Sequence, residues 1–301
     1  MTGRNGLQVQ KLTAGFGCVV TGLDLATPLD ADTIEAIRRL WLEELVVVFP
    51  DQHLTPGQQV EFARQFGELT PAHPVVPGLD EHPEVLVLDA AQGGRNAQWH
   101  TDVTFVDAPP KGSLVFAEVM PPVGGDTLWA DLRGAYQRLA PPLRRLVDEL
   151  EAVHIITPLA YWGVPADTAL TRDDATELLA RAREIPAVVH PVVRVHPDTG
   201  ERSLFVNPGF TSHIVGLSRV ESDALLQLLY DHATQPELVL RHRWSAGDVV
   251  MWDNRSTMHY AVDDYGSVPR RIRRVTWRGD RAVGPTGIES RVEHDPLVTI
   301  R

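Results

Sequence analysis

Gly247-Asp248-Val249-Val250-Met251-Trp252-Asp253-Asn254-Arg255-Ser256-Thr257-Met258-His259-Tyr260 begins as an apolar run, passes through a polar turn and then presents a lone histidine. An apolar run this short, bounded by Gly-Asp and Asp-Asn, fits a buried strand. The same pattern recurs outward from it. Residues 45–50 are another continuous apolar run, closed by Pro50, and short strands are predicted over 8–25, 84–88, 188–195, 203–206, 238–244 and 272–277. Helices are predicted over 30–44 with Asp30 as N-cap, over 55–66 with Thr55 capping and Pro56 at the first position, and over 142–150 and 218–232. Residues 98–131 read as strand, turn, strand, punctuated by Pro109-Pro110, Pro121-Pro122 and Gly124-Gly125. The polar stretch 167–183 reads as partly helical, within a lid or insertion around 157–186. Strands that do not alternate regularly with helices argue against a doubly wound parallel sheet. The expected fold is mainly β with α decoration: a double-stranded β-helix, or jelly-roll, core with flanking helices, as one domain over 1–301.

Composition narrows the function. In 301 residues, 40 Asp and Glu outnumber 28 Lys and Arg, for a formal charge of −12. Such a surface repels nucleic acid and anionic membranes, so any anionic ligand must be met by a local basic cluster. The single cysteine, Cys18, can form neither an internal disulfide nor a Cys-rich metal site, which fits a reducing cytoplasm. The first ten residues show no apolar signal region, and no apolar run approaches the roughly 18 residues of a membrane span.

The sharpest chemical signal is Trp99-His100-Thr101-Asp102. In an extended strand, residues i and i+2 share a face, so His100 and Asp102 would converge on one ion. The motif is short and recurs by chance. It gains weight from His259, because two imidazoles and a carboxylate form the facial ligand set that suits iron(II). Arg270 and Arg274, four apart on a predicted strand, would share a face and supply two guanidiniums for carboxylates. Arg271 and Arg273, on the other face, read as solvated. His154, His213, His232 and His242 read as ordinary core or surface residues, and His190 and His196 lack a carboxylate at ligand spacing.

At these residues the sequence resembles the taurine dioxygenase family of iron(II)/2-oxoglutarate oxygenases. Gly67-Glu68-Leu69, His73-Pro74-Val75, the segment from Trp99 to Phe105, the segment from Pro122 to Trp129, Asn207-Pro208-Gly209-Phe210-Thr211 and Trp252-Asp253-Asn254-Arg255 look like family blocks in family order, spanning roughly 8 to 280. The resemblance implies an enzyme in which His100, Asp102 and His259 bind iron(II). Arg270, assisted by Thr127, would hold the far carboxylate of 2-oxoglutarate, and Arg274 would lie near both that co-substrate and the substrate's anionic group. The Arg270-Arg271 pair admits a register one residue different, and the spacing Arg-x-x-x-Arg before Val275-Thr276 favours Arg270. His73 and Asn96 match residues that contact a sulfonate, and Phe210 matches a pocket aromatic. Val76 stands where the taurine enzyme has tyrosine, which implies a roomier, more apolar pocket.

The implied reaction uses O2 to hydroxylate a small organic anion, with 2-oxoglutarate giving succinate and carbon dioxide. An alkyl sulfonate or sulfate ester would fragment to an aldehyde plus sulfite or sulfate. Hydroxylation of a non-sulfur carboxylic or amino acid is the alternative. Asp102 argues against a halogenase, in which a small residue replaces the carboxylate, and the complete ligand set argues against a silent anion-binding barrel. Neither nucleic acid nor membrane is an expected partner, and a homodimer or homotetramer is the expected assembly.

Overall fold

The chain is described here from a computed structural model covering residues 7–92, 96–156 and 184–294. The expected lid at 157–186 lies outside the described residues apart from 184–186. The largest sheet has seven strands in the order β1 (Gln8–Lys11), β2 (Cys18–Thr21), β3 (Val46–Phe49), β13 (Val249–Asp253), β5 (Gly112–Val119), β15 (Arg271–Trp277) and β4 (Leu86–Asp89). Only the β2–β3 pair is parallel within this sheet. A second sheet runs β12 (Val239–His242), β6 (Thr127–Asp131), β14 (Thr257–Ala261). A third runs β11 (Thr211–Ile214), β7 (Glu151–His154), β8 (Val188–Pro191), β16 (Arg291–Val292), and β9 (Val193–Val195) pairs with β10 (Arg202–Leu204).

Side-chain alternation along the central strands builds two cores from one sheet. Val46, Val48, Val115, Ala117, Val250 and Trp252 point inward and meet Trp129 and Leu240 of the smaller sheet and Trp244 just beyond it. Val47, Phe49, Leu114, Phe116, Val249 and Met251 point outward, beneath α1 (Ala31–Glu44) and α2 (Pro56–Arg64). The continuous apolar runs are explained by this burial on both faces. Asp30 caps α1 by accepting from Thr33 N, and Thr55 with Gln58 forms a capping box on α2. Beyond the smaller sheets, α3 (Leu132–Arg138), α4 (Pro141–Val147) and α5 (Arg219–Ala233) cover a further core around Ala130, Met258, Leu226 and Leu229. The jelly-roll expectation holds.

Several local expectations are corrected. No strand begins at residue 98; His100 makes an isolated bridge to His259, and the first strand of that region starts at Gly112. The predicted strand over 188–195 breaks at Val192, so its halves join different sheets. β7, β11, β14 and α3 were not anticipated. Arg273 is buried rather than solvated, with its guanidinium over the Phe116 ring and donating to Leu54 O. Among the described residues, no helix is long and apolar enough to cross a membrane.

Burial leaves several imidazoles neutral, and this fixes a pH response. Desolvation lowers His190 from 6.5 to about 4, His73 and His259 to about 3, and His100 and His154 in the same direction. Unfolded, each takes up a proton near pH 6.5. The stability they allow is complete above that pH and is lost as pH falls toward the folded values. Asp102 and Asp253, held below the ordinary carboxylate range, lose their contribution only in more acid solution, and Asp131, raised by burial, acts in the opposite sense. Urea unfolding of the chelator-treated protein should therefore lose about 2–3 kcal/mol between pH 6.5 and 4 from His190 alone. A flat profile down to pH 4.5 would contradict the neutral assignment.

Candidate active site

The turn that joins β13 to β14 is fixed by a buried ion pair. Asp253 accepts from Arg255 N and Nε on one oxygen and from Arg255 Nη2 (2.6 Å) and His196 Nε2 (3.1 Å) on the other. His196 thus has a carboxylate partner 57 residues away, which its sequence neighbours did not reveal. With the turn anchored, β14 pairs with β6 so that His259 sits opposite Trp129, and Ala261 opposite Thr127. Thr127, Trp129 and His259 consequently face the space between the sheets.

His100 is brought to His259 by a two-way backbone bridge, His100 N to His259 O at 2.9 Å and His259 N to His100 O at 2.7 Å. Asp102 lies on the turn that follows, and Thr101 Oγ1 donates to Thr257 O beside it. His100 Nε2 and His259 Nε2 stand 3.8 and 4.0 Å from Asp102 Oδ1, and one ligand atom from each residue lies within 4.8 Å of the others. His100 Nδ1 faces Gln98 O at 2.8 Å; a carbonyl can only accept, so this nitrogen carries the proton and Nε2 keeps its lone pair. Close approach is secured by Gly209, where a Cβ would fall 2.7 Å from the Cβ of His100.

Asp102 is held from both sides. Ser113 Oγ donates to Oδ2 at 2.6 Å and Arg274 Nη1 to Oδ1 at 2.6 Å. Burial alone would raise the carboxyl pKa; the Arg274 guanidinium, the two imidazoles and the Ser113 hydroxyl together outweigh it and keep Asp102 ionised. Ser113 in turn accepts from Asn254 Nδ2 at 3.2 Å, and Asn254 Oδ1 accepts from Trp252 Nε1 at 2.8 Å. This chain of donors leaves the Ser113 proton directed at Asp102. Sequence reading missed Ser113, which carries no local signal; only pairing of β5 with β13 brings it there.

Arg270 and Arg274 lie on one face of the β15 run. The register irregularity near Arg271 puts the extra residue on β5, so alternation from 270 to 274 is unbroken. Arg271, exposed and paired with Glu118, is excluded from the interior. Arg270 is buried, donates through Nε to Gly125 O and lies 5.9 Å from the Tyr265 ring centroid. Gly125 has φ +71, and a Cβ there would lie 3.1 Å from Arg270 Cδ and Nε, so glycine is what allows the arginine its place. Thr127 Oγ1 accepts from Trp244 Nε1 at 2.9 Å. Arg274, by contrast, is spent at least partly on Asp102.

Of the residues assigned to the substrate side, Asn96 Nδ2 is 3.4 Å from His100 Nε2. The Phe210 ring stands edge-on to His100 at 6.1 Å and to Phe105 at 5.0 Å. His73 meets Phe105 at 6.1 Å and is near enough to Arg274 and Asp102 to feel both charges. Val76 is half-buried in the loop after His73. Val103, Phe105 and Phe210 form an apolar cluster joined by Val106, Ile156 and Ile185. Thus two neutral imidazoles, one ionised carboxylate, an apolar flank and two buried guanidiniums come together between the sheets. The donor set fits a mid-series divalent metal such as iron(II).

Such a site in such a barrel defines a non-haem, 2-oxoglutarate-dependent dioxygenase. Residues 8–276 match the taurine catabolism dioxygenase TauD, TfdA family, and the chain belongs to it. Among its relatives, an alpha-ketoglutarate-dependent sulfate ester dioxygenase of Pseudomonas putida is 44% identical over 290 residues, 95% of this chain and 94% of that protein. An alkylsulfatase of Acinetobacter baylyi is 39% identical, covering 95% and 89%. The crystal structure of a taurine dioxygenase from Burkholderia xenovorans superposes with a TM-score of 0.81 at 40% identity, covering 97% and 96%. The protein therefore uses iron(II), 2-oxoglutarate and O2.

Replacing Ser113 by alanine removes a hydrogen bond from a buried carboxylate without touching the three candidate ligand atoms. Second-layer contacts of this kind are worth about 10- to 100-fold in metal affinity. Cobalt(II) titration of Ser113→Ala should show a loss in that range, and Ser113→Thr should retain most of the affinity.

Proposed function

We propose that His100, Asp102 and His259 bind the iron, that Arg270 with Thr127 receives the far carboxylate of 2-oxoglutarate, and that the substrate is an alkyl sulfate ester, with alkyl sulfonates as slower relatives. The observation that carries the reading is the convergence of three ligand atoms within 4.8 Å beside the buried Arg270–Arg274 face. The bound iron, with 2-oxoglutarate and O2, supplies the oxidising power to place one oxygen atom on an unactivated C–H bond. The chain's own residues orient and exclude. Arg270 fixes the co-substrate, while Arg274, His73 and Asn96 stand on the side assigned to the sulfate. The cluster of Phe105, Phe210, Val106, Ile156 and Ile185 supports an apolar tail and keeps water off the reacting carbon.

Hydroxylation of the carbon bearing the ester oxygen gives a geminal hydroxy sulfate. Its hydroxyl loses a proton as the C–O bond to sulfate breaks, so the products are an aldehyde and sulfate, with succinate and carbon dioxide from the co-substrate. The two sulfate-ester relatives support this choice over taurine, as does Val76 in place of a tyrosine.

The co-substrate assignment is checked with Arg270→Ala. Losing one partner of a buried charged pair costs about 2–5 kcal/mol, so the 2-oxoglutarate requirement should rise roughly 30-fold or more. An unchanged requirement, with a large change in Arg271→Ala, would move the role to the neighbour.

The substrate assignment is checked with a chain-length series of n-alkyl sulfates and sulfonates, scored for sulfate, sulfite, aldehyde and succinate. Each buried methylene is worth about 0.8 kcal/mol, so about four extra carbons should favour hexyl sulfate over taurine by roughly a hundredfold. Succinate formed with a carboxylic acid, and no sulfur release anywhere in the series, would replace the sulfate reading. Wild-type succinate production by His259→Ala would overturn the metal assignment.

A further inference from the structure

Immediately after Asp102 the backbone enters a region that valine avoids. Val103 has φ +57, one of three positive-φ residues other than glycine among the described residues. A β-branched side chain there is strained, and such strain persists only where the surroundings over-determine it. The strained peptide lies beside the carboxylate that faces both imidazoles, so whatever holds Val103 also aims Asp102.

The next residue, Thr104, is fully buried and carries the restraint. Its carbonyl faces His190 Nε2 at 2.7 Å and can only accept, so that nitrogen carries the proton. Its hydroxyl accepts from Asn207 Nδ2 at 3.1 Å; the amide orientation is fixed because Asn207 Oδ1 accepts from Phe210 N at 2.9 Å. The hydroxyl also meets His154 Nδ1 at 3.0 Å, and His154 Nε2 meets Thr211 Oγ1 at 3.3 Å. His190 is itself backed by Ser290 Oγ at 2.7 Å, and the two imidazoles pack edge to face at 4.8 Å. None of these side chains belongs to the proposed ligand set, yet His154, His190 and Asn207 converge on one threonine two residues from Asp102. Thr101, on the other side of Asp102, is tied to β14 through Thr257 O.

We infer that Thr104, clamped by His154, His190 and Asn207, is a positioning residue that holds Val103 in its strained conformation and thereby points Asp102 at the metal. This rests on the assignment of His100, Asp102 and His259 as ligands. Without the clamp, Val103 relaxes to negative φ and the Asp102 carboxylate turns away from the imidazoles. Glycine at 103 needs no clamp, because it adopts positive φ without penalty.

The test is anaerobic cobalt(II) titration of the metal-stripped chain without 2-oxoglutarate, reading the dissociation constant and the visible ligand-field spectrum, with circular dichroism to confirm folding. Thr104→Val, which keeps the shape and removes the hydroxyl, should weaken cobalt binding on the order of 10- to 100-fold, about 1.4–2.7 kcal/mol, with an altered spectrum. Thr104→Ser should bind like the wild type, and adding Val103→Gly to Thr104→Val should recover most of the affinity. Should Thr104→Val fail to fold, His154→Leu tests the same contact, again with Val103→Gly as rescue. Wild-type cobalt affinity in Thr104→Val or His154→Leu, or a loss that Val103→Gly does not recover, overturns the inference. His259→Ala separates the two levels: if it keeps wild-type affinity, the ligand assignment itself fails; if it loses cobalt while Thr104→Val does not, only the clamp fails.

Discussion

A carboxylate as buried as Asp102 has to be met on every side, because an unpaired charge out of water costs several kcal/mol. Its partners come from distant parts of the chain: Ser113 opens β5, Arg274 lies in β15, and His100 and His259 are joined by a bridge to β14. The seven-stranded sheet supplies the hydroxyl and the guanidinium, while the smaller sheet supplies an imidazole. The compensation can be completed only when the two sheets pack face to face, so sandwich and site are one construction.

The same constraint recurs where the strands turn. Asp253 has no exposed surface, and Arg255 and His196 hold it ionised against the effect of burial. That pair sets the 253–256 turn, and Asn254 within it reaches Ser113. One buried ion pair thereby supports a second through two hydrogen bonds. Packing limits act alongside the charges. A Cβ on Gly112, the residue before Ser113, would fall 2.3 Å from the Trp41 ring, so the first residue of β5 is fixed by the outer core as Ser113 is by the inner one.

Much of this was legible in the sequence because it rests on local patterns. The doubly buried strands declared themselves as apolar runs, and the helices over 30–44 and 55–66 announced their caps at Asp30 and Thr55. His100, Asp102 and His259, which the structure brings within 4.8 Å of one another, were singled out because the family blocks around them are long. What could not be read depends on pairing at a distance. Ser113 is one serine among many until β5 is laid beside β13, and the partner of His196 is remote in sequence. The strand expected around His100 failed for a physical reason: Asp102 comes beside the two imidazoles from a strained turn, and no propensity rule anticipates positive φ at a valine. Arg273 misled in the same way, because alternation gives a face but not what covers it, and α2 covers that face of the sheet.

On the proposed reading an acidic chain takes two anions at once, and the placement of its charges bears on how. The formal charge of −12 opposes their approach over the surface at large. Within the site, however, Arg270 and Arg274 are both buried on one strand face, and Arg274 donates to Asp102. Two guanidiniums held out of water supply positive charge where the surface at large is acidic. On the proposed assignment a divalent ion stands beside them, so an anion that enters the site meets fixed cations that it does not meet outside it, and the local field opposes the global one.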